Sequence, residues 1–385
     1  MTTRAVVALG IGQCVNWGVL YYAFSVLLTP LQRELGVPGW VLASAFSLAL
    51  LMSALAAPAV GRLSDRGAGF RLIHCGGYFA SGLMFAWGLL PGLPSLFVVW
   101  PALGLCMAAT LYEPVFVIVG RSIGEPAARL RALATVTVLG GLASTVFLPL
   151  TAVLVESRGW RAAVIVLAVT LAVSTFVSAR VHEEASRPDL STVRQTKSNS
   201  DSSGPSMFVL LGLFATASLV TTAFTTTLVP AFIARDVSPV VAASLGSLLG
   251  VMQLPGRVLV MRGSVNPSPS RLLFASFTAQ AIGIGTIAMS TSLALLAAGV
   301  AVFAMGAGLM TLARPHLVHT VFGIEQSGSI NGRLAGVQSI ARAGGPVLAV
   351  SLAGVIGYGP TFGVLAAAVA ALAATSRFLL NASPA

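Results

Sequence analysis

Two short motifs place opposite charges at matching positions of a largely apolar chain. Residues 110–114 read TLYEP and residues 311–315 read TLARP, so the order of residue types is kept while Glu113 is exchanged for Arg314. A charge at membrane depth costs roughly 2.5–3.5 kcal/mol, and such residues therefore face a cavity or an oppositely charged partner. Two interpretations stay open: Glu113 accepts a proton or contacts a substrate, or it forms a permanent ion pair with Arg314 that never titrates. The proline after each charge removes a backbone donor and predicts a kink.

A third charge inside an apolar segment is Arg342, so the three intramembrane charges carry a net charge of +1. A guanidinium binds a carboxylate, a phosphate or another oxyanion through two parallel hydrogen bonds. An uncompensated arginine therefore predicts an anionic substrate. In the alternative interpretation, the Arg342 side chain extends along its helix to the cytoplasmic surface.

Polar and aromatic side chains form a stripe along the first apolar segment. Its members recur at the spacing of one helical face, and they are Gln13, Asn16, Trp17, Leu20, Tyr21 and Phe24. A shorter stripe in the seventh segment consists of Ser218, Thr221, Thr222 and Thr225. Such faces line a polar cavity or, alternatively, form hydrogen bonds between packed helices. The residues that we predict to contact a substrate in a cavity are Gln13, Asn16, Trp17, Tyr21, Tyr112, Thr221 and Thr225.

Histidines and cysteines are weaker candidates. His316 and His319 follow Arg314, where they either relay protons or lie solvated at a helix end. Cys14 and Cys106 fall near mid-membrane, and two thiols there would suit a trivalent metalloid substrate, although membrane cysteines are mostly small packing residues. The three cysteines of the chain show neither metal-ligand spacing nor the even count of a disulfide framework. We expect no metal and no cofactor.

The composition is that of a chain solvated by lipid. Of 385 residues, 56% are hydrophobic and 9% are charged, whereas soluble domains carry about 25% charged residues. A net charge of +11 would indicate nucleic acid as the partner of a soluble protein, but here the basic residues lie between apolar runs and set the topology. The bilayer is therefore the expected partner, and nucleic acid is not. The first apolar stretch is too long for a signal-peptide core, and we predict a retained helix.

Twelve apolar segments are long enough to cross a bilayer. They fall at 5–30, 39–60, 71–91, 94–120, 131–155, 161–180, 207–232, 240–261, 271–290, 293–320, 334–356 and 360–381. Helices are expected because a backbone in lipid must satisfy its own hydrogen bonds, and the alternation typical of a barrel is missing. The polar, serine-rich stretch 181–206 divides the segments six and six. We predict a helical bundle at 1–180, a flexible cytoplasmic linker at 181–206 and a second bundle at 207–385.

Lysines and arginines fall mostly on one side of these segments. With the N-terminus in the cytoplasm, 16 of the 22 fall on the cytoplasmic side, 4 on the outer side and 2 inside helices. Because cytoplasmic loops carry an excess of Lys and Arg, both termini are predicted to be cytoplasmic. The sequence contains no Walker-type phosphate loop, so an ion gradient is the expected energy source.

The loop after the second segment carries a recognisable motif, GRLSDRGAGFR at residues 61–71. With the twelve segments and the central linker, it resembles the major facilitator superfamily, whose signature in this loop is Gly-x-Leu-x-Asp-Arg-x-Gly-Arg. The residues that match in place are Gly61, Leu63, Asp65 and Arg66, whereas the later Gly-Arg pair is displaced to Gly69 and Arg71. The resemblance implies two pseudo-symmetric six-helix bundles that rock around a central cavity lined by helices one, four, seven and ten.

In that superfamily the loop latches the cytoplasmic side, and the resemblance implies the same role for Gly61, Asp65 and Arg66. Gly61 would permit a tight exit from helix two. Asp65 lies where it faces Arg121 at the end of helix four, and an exposed pair of this kind contributes about 1 kcal/mol or less. The alternative is a solvated loop that only sets topology.

We therefore predict a secondary active transporter rather than an enzyme, since the four histidines are scattered and form no catalytic cluster. It would act as a monomer in the cytoplasmic (inner) membrane and move a small organic anion by alternating access, with the proton as coupling ion. The alternative is an efflux pump for an amphipathic drug or a toxic metalloid. Many drug–proton antiporters of the superfamily carry a Gly-Pro pattern in helix five, but here the run Gly344-Gly345-Pro346 falls in helix eleven, which disfavours drug export.

Overall fold

The computed structural model describes residues 2–90, 92–123, 125–185, 207–255 and 269–381. Within its helices, only the backbone is described at residues 126–127, 129–130, 183–185, 269–270, 311–312, 314–316, 318–333, 335 and 378–381. The chain divides into two compact units, Met1–Gln195 with Pro239–Ala243 and Thr196–Ser238 with Ser244–Ala385. The described residues form helices and no strand, which confirms the all-α prediction.

The described residues of the first unit form eight α-helices, several of which divide or join the six predicted segments. They are α1 (Thr3–Trp17), α2 (Ala23–Leu35), α3 (Gly39–Leu63), α4 (Gly69–Leu89), α5 (Gly92–Thr110), α6 (Tyr112–Ser122), α7 (Pro126–Gly141) and α8 (Ala143–Ala185). Two π-helices, Gly18–Tyr22 and Ser64–Ala68, continue α1 and α3. Helix α8 runs five residues beyond the predicted end of the first bundle at 180, and residues 186–206 of the predicted linker lie outside the described residues.

The remaining helices are α9 (Met207–Ile233), α10 (Pro239–Val251), α11 (Pro269–Met289), α12 (Leu293–Ile356) and α13 (Tyr358–Asn381). The first five residues of α10 belong with the first unit. Helix α12 has 64 residues and covers both the tenth and the eleventh predicted segments. Within α12, Leu293–Met310 and Gly336–Ile356 are separate candidate membrane spans, as the two segments predict, although the helix does not end between residues 320 and 334. Helical backbone continues there, and no proline falls between Pro315 and Pro346 to end it.

Nine stretches of the described residues are long and apolar enough to cross a membrane. Two of them, Gly39–Leu89 and Arg131–His182, each contain two predicted segments. The chain turns within these stretches at Gly67 (φ +91°) and Gly159 (φ +77°), where an L side chain would be strained. A shorter apolar helix, Pro239–Pro255, corresponds to the eighth segment, whose residues 256–261 lie outside the described part. The prediction of a helical integral membrane protein is confirmed.

The turn of the 61–71 loop lies at Gly67 and not at Gly61. Gly61 is inside α3, and a Cβ added there would meet no atom within 4 Å. The role predicted for Gly61 as the exit from helix two is therefore wrong, because α3 runs on to Leu63 and the positive φ falls six residues after Gly61.

Three helix interruptions in the first unit lie inside membrane spans. Helix one, the first predicted segment, consists of α1 and α2 with the π-helix Gly18–Tyr22 between them. Turns of π-helix are frequent at functional sites. Helix four, the fourth predicted segment, consists of α5 and α6 and breaks between them at Leu111, whose ψ of −166° is extended. Helix five breaks at Leu142, between α7 and α8. A Cβ on Gly18 would collide with the ring of Phe147 in α8, so helices one and five touch beside their interruptions.

Buried aromatic side chains hold the first unit together away from these interruptions. Phe24 stacks on Phe46 with ring centroids 4.5 Å apart, and both rings contact Trp100 edge-on. At one end of the unit, Arg161 Nη2 lies 2.6 Å from Glu34 Oε1, and this ion pair ties α8 to α2. Because both of its side chains are more than a third exposed, the pair contributes at most about 1 kcal/mol.

Candidate functional site

The main-chain carbonyl of Thr110 accepts hydrogen bonds from two side chains of α1. Gln13 Nε2 donates to it at 2.6 Å and Asn16 Nδ2 at 3.0 Å, and both side chains are almost fully buried. In a regular helix this carbonyl would accept from the N–H of residue 114, but Pro114 has none. The polar stripe of helix one therefore satisfies the acceptor that Pro114 leaves open. The same two bonds fix α1 to the break in helix four.

Two more polar atoms on this face of helix one are buried and have no hydrogen-bond partner among the described residues. They are Gln13 Oε1, an acceptor, and Trp17 Nε1, a donor. The two residues are about one helical turn apart, on the same face of the helix. Because an unpaired buried polar group costs about 1–3 kcal/mol, these atoms are expected to bind an internal water or a polar group of a ligand.

Aromatic rings surround the same break. The ring centroid of Trp17 lies 5.2 Å from that of Tyr21 and 5.3 Å from that of Tyr112. Tyr112 stacks on Phe116 at 5.3 Å, and Tyr21 contacts Phe46 at 5.5 Å. At these distances the rings attract one another. We call these five residues the aromatic cluster, and one of its members, Tyr112, directly precedes Glu113 in the chain.

Glu113 lies in the first turn of α6 and is exposed. Its carboxylate forms no ion pair with any side chain that the structure describes. A negative charge is favoured in the first turn of a helix by the backbone N–H groups there. The Arg314 side chain lies outside the described residues, as do those of His316 and His319. The alternative of a permanent Glu113–Arg314 pair therefore stays a prediction.

Helix five approaches the cluster at Gly140. A Cβ added to Gly140 would collide with the Tyr112 hydroxyl and would come within 3.1 Å of Gln13 Cβ. This glycine therefore allows α7 to pack against both the polar stripe and the aromatic cluster. Because Gln13 also bonds to the helix-four break, a shift of Tyr112 or Gln13 is expected to disturb the whole site.

We expect Gly140→Ala to lower both thermal stability and transport, since overpacking a tight contact costs about 1–3 kcal/mol. Thermal unfolding and substrate uptake of the purified variant measure the two effects. Gly120→Ala is the matched control, because a Cβ at Gly120 in α6 would meet nothing within 4 Å. Adding Tyr112→Phe removes the colliding hydroxyl and should restore part of the loss. Equal behaviour of Gly140→Ala and Gly120→Ala would show that the contact does not matter.

In the second unit, two threonines of the predicted stripe on α9 donate hydrogen bonds to carbonyls of their own helix. Thr222 Oγ1 donates to the Ser218 carbonyl at 3.0 Å, and Thr225 Oγ1 donates to the Thr222 carbonyl at 3.2 Å. Thr221 is half-buried. Arg342 in α12 is also half-buried and forms no ion pair within the described part of the chain. The cavity roles of Thr221, Thr225 and Arg342 stay predictions.

Two of the predicted latch residues, Asp65 and Arg121, are joined by one hydrogen bond to the backbone. The guanidinium of Arg121, near the end of α6, donates to the main-chain carbonyl of Asp65. The Asp65 and Arg66 side chains are exposed, and the described residues provide no ion-pair partner for either. Because the helix is broken at Gly67, this carbonyl is available to a side chain from α6. The loop and helix four are thus joined, and a gating role for the contact stays a prediction.

Two of the four histidines and all three cysteines have described side chains. His74 Nε2 and His182 Nδ1 lie 3.3 Å apart, so the expectation that the histidines are scattered is wrong for this pair, whose members are far apart in sequence. Cys14 is half-buried and Cys106 is buried, each as a free thiol. Among the described residues, no three His, Cys, Asp or Glu side chains lie close enough together to hold a metal ion.

Two features of the site lie outside the set of residues predicted from the sequence. The Thr110 carbonyl is a backbone atom, and a proline four residues after it is the signal that identifies it. Gly140 appeared in the sequence only as part of a Gly-Gly pair, and no neighbouring residue marks it as the contact of Tyr112.

The comparisons with known proteins agree with this architecture. Residues 9–265, more than half of the chain, match the sequence profile of the family described as the Major Facilitator Superfamily. The comparison with curated protein sequences found no match.

Solved transporter structures share the fold over nearly the whole chain. A mutant of the nucleoside transporter NupG aligns with a TM-score of 0.75 at 11% identity, covering 97% of this chain and 98% of that chain. An inward-facing, occupied bacterial homologue of the human lysosomal transporter Spinster aligns at 0.72 and 15% identity, covering 99% and 98%. A mutant of the peptide transporter POT in complex with alafosfalin aligns at 0.75 and 13% identity, covering 98% and 95%. At these identities the likeness shows the fold alone.

Proposed function

Because this chain belongs to the major facilitator superfamily, and is a transporter of that family rather than an enzyme, we propose that it moves a small organic anion by alternating access, coupled to protons. The observation that carries the proposal is the helix-four break, where Gln13 and Asn16 hold the Thr110 carbonyl. The break leaves an exposed carboxylate, Glu113, at the edge of the aromatic cluster. The proposal is supported by the position of Glu113 in the chain, directly after Tyr112 and at the start of the helix that follows the break.

Proton coupling is assigned to Glu113. The assignment is supported by two observations: Glu113 is exposed, and it forms no ion pair within the described part of the chain. The buried, unpaired atoms of Gln13 and Trp17 are the proposed hydrogen-bonding contacts of the substrate. The aromatic cluster supplies its apolar contacts.

The anionic character of the substrate is assigned to Arg342 and Arg314. It is supported by the lack of an ion-pair partner for Arg342 in the described part of the chain, since a partner-free guanidinium binds oxyanions well. We place the protein in the cytoplasmic membrane as a monomer with both termini inside, because 16 of 22 basic residues then face the cytoplasm. The contact between Arg121 and Asp65 supports a cytoplasmic latch that includes Arg66.

A thermal-shift screen of the purified protein against organic acids, amphipathic drugs and arsenite should identify organic acids as the stabilising class. Arg314→Gln and Arg342→Gln are then expected to weaken the binding and the uptake of the stabilising acid by about tenfold or more, because each variant loses one charged hydrogen bond to it. Arg33→Gln is the control, because it removes the same charge from an exposed position at the end of α2. Uptake at the wild-type level by both cavity variants would eliminate the anion site. Stabilisation by a drug or by arsenite alone would favour the efflux alternative.

A further inference from the structure

A groove runs between two antiparallel helices of the second unit, α11 and α13. It has a volume of about 520 Å³ and is lined mostly by apolar side chains. Residues that line it include Phe274, Thr278, Ile282, Ala370, Ala374 and Arg377. Phe274 and Ile282 are exposed, so the groove opens on the outside of the unit, on a surface of membrane-spanning helices.

The groove exists because α13 presents small side chains to α11. Ala370, Ala374 and Arg377 recur at helical spacing and lie on one face of α13. The two alanines leave room that larger residues would fill. From Phe274 to Ile282 the groove follows α11 for about 12 Å, at 1.5 Å per residue. This length is somewhat less than half of a hydrocarbon core of about 30 Å, so the groove fits a chain from one leaflet.

The guanidinium of Arg377 lies at one end of the groove. Arg377 is the last residue of the span Tyr358–Arg377, and Arg271 begins the neighbouring span Arg271–Met289, so this end lies at the membrane boundary. Arg377 Cζ lies 5.7 Å from the ring centroid of Phe274. Within the described residues, Arg377 forms no ion pair, and neither helix contains Asp or Glu.

We propose that this groove binds one anionic phospholipid, with an acyl chain along Phe274, Thr278 and Ile282 and the headgroup phosphate at Arg377. The apolar lining excludes a hydrophilic ligand from most of the groove. The uncompensated guanidinium at the boundary is complementary to a phosphate that carries a net negative charge. A zwitterionic lipid offers the same chain without that net charge, and it binds more weakly.

The test is native mass spectrometry of the delipidated full-length protein, titrated with phosphatidylglycerol or phosphatidylcholine. The wild type should bind its first phosphatidylglycerol more tightly than phosphatidylcholine. Arg377→Gln should weaken phosphatidylglycerol binding by about fivefold, the effect of one basic residue at an anionic surface, and should remove the preference. Ala374→Leu fills the groove and should weaken the binding of both lipids.

Arg180→Gln is the matched control. Arg180 also lies at the end of a span, with Cζ 5.0 Å from the ring centroid of Phe176, but its ring partner is on the same helix. The proposal predicts that this variant binds both lipids like the wild type. It is overturned if Arg377→Gln binds phosphatidylglycerol like the wild type, or if Arg180→Gln weakens phosphatidylglycerol binding as much as Arg377→Gln does. It is also overturned if Ala374→Leu binds both lipids like the wild type. Equal thermal stabilisation by inorganic phosphate and by phosphatidylglycerol would also overturn it, because the acyl chain would then be unnecessary.

Discussion

Replacing Glu113 by glutamine is expected to reduce proton-driven substrate uptake by at least about tenfold, or 1.4 kcal/mol, and to remove its pH dependence. Glutamine keeps the size and the hydrogen-bonding ability of the side chain, but it cannot release a proton. The exposed carboxylate is in the first turn of α6, immediately after the helix-four break. Uptake of the labelled substrate into vesicles with an imposed proton gradient, measured between pH 5 and pH 8, gives both quantities.

The matched control is Glu125→Gln, which neutralises an exposed carboxylate at the start of α7. It should leave uptake and its pH profile unchanged. Substrate exchange without a proton gradient should persist in Glu113→Gln, because exchange requires binding and rocking but no net proton movement. If Glu113→Gln shows full activity with an unchanged pH dependence, Glu113 only fastens the two halves through Arg314.

The double variant Gln13→Ala with Asn16→Ala should lose about 1–3 kcal/mol of stability and most of its transport activity, because it leaves the buried Thr110 carbonyl without these two donors. Each single variant should lose much less, since the other amide still donates to the same oxygen. The losses are therefore expected to be strongly non-additive. Chemical or thermal unfolding of the four proteins, compared in one double-mutant cycle, measures this coupling.

Pro114→Ala provides the internal control for this prediction. Alanine restores an N–H at residue 114, the position that bonds to Thr110 in a regular helix. Added to the double variant, it should recover stability by closing the break, yet it should not recover transport, because the aromatic cluster and Glu113 then lose the orientation that the break gives them. Additive single losses, or a Pro114→Ala variant without any effect on the double variant, would contradict the role assigned to the Thr110 carbonyl.

The membrane spans and the polar stripe of helix one could be predicted from the sequence because both depend on local periodicity. A run of about twenty apolar residues has few alternatives to a membrane helix. Gln13, Asn16 and Trp17 fall on one face by helical spacing alone. The partner of Gln13 and Asn16, the Thr110 carbonyl, could not be predicted in the same way. The Thr110 carbonyl lies 97 residues from Gln13 in the chain, and a backbone atom has no sequence signature except the missing donor of Pro114.

In the loop after α3, the sequence alone does not show which glycine forms the turn. Three glycines occur between residues 61 and 69, and glycine identity does not say which of them adopts a positive φ. The structure selects Gly67, and the turn frees the Asp65 carbonyl for Arg121. The sequence predicts an ion pair between the Asp65 carboxylate and Arg121, whereas in the structure the Arg121 guanidinium donates to the main-chain carbonyl of Asp65. The pair His74 and His182 is a further example, since only tertiary structure brings residues 108 positions apart together.

The Thr-Leu-x-charge-Pro motif can now be explained at its first copy. Thr110 Oγ1 donates to the Cys106 carbonyl at 2.8 Å, and Pro114 leaves the Thr110 carbonyl to side chains of helix one. At this copy the motif forms a helix break that side chains of helix one stabilise, and the charged residue Glu113 follows the break directly. At the second copy, Thr311 and Arg314 lie in α12, and an equivalent arrangement there stays a prediction.

The most direct test of proton-coupled transport is the internal pH of proteoliposomes that contain the purified protein, recorded when the stabilising organic acid is added on one side. The account predicts a substrate-driven proton flux with the wild type, none with empty vesicles, and none with Glu113→Gln at equal protein content. Substrate movement without any proton flux would contradict the coupling. Substrate-driven proton flux at the wild-type rate through Glu113→Gln would contradict the assignment of Glu113 as the residue that carries the proton.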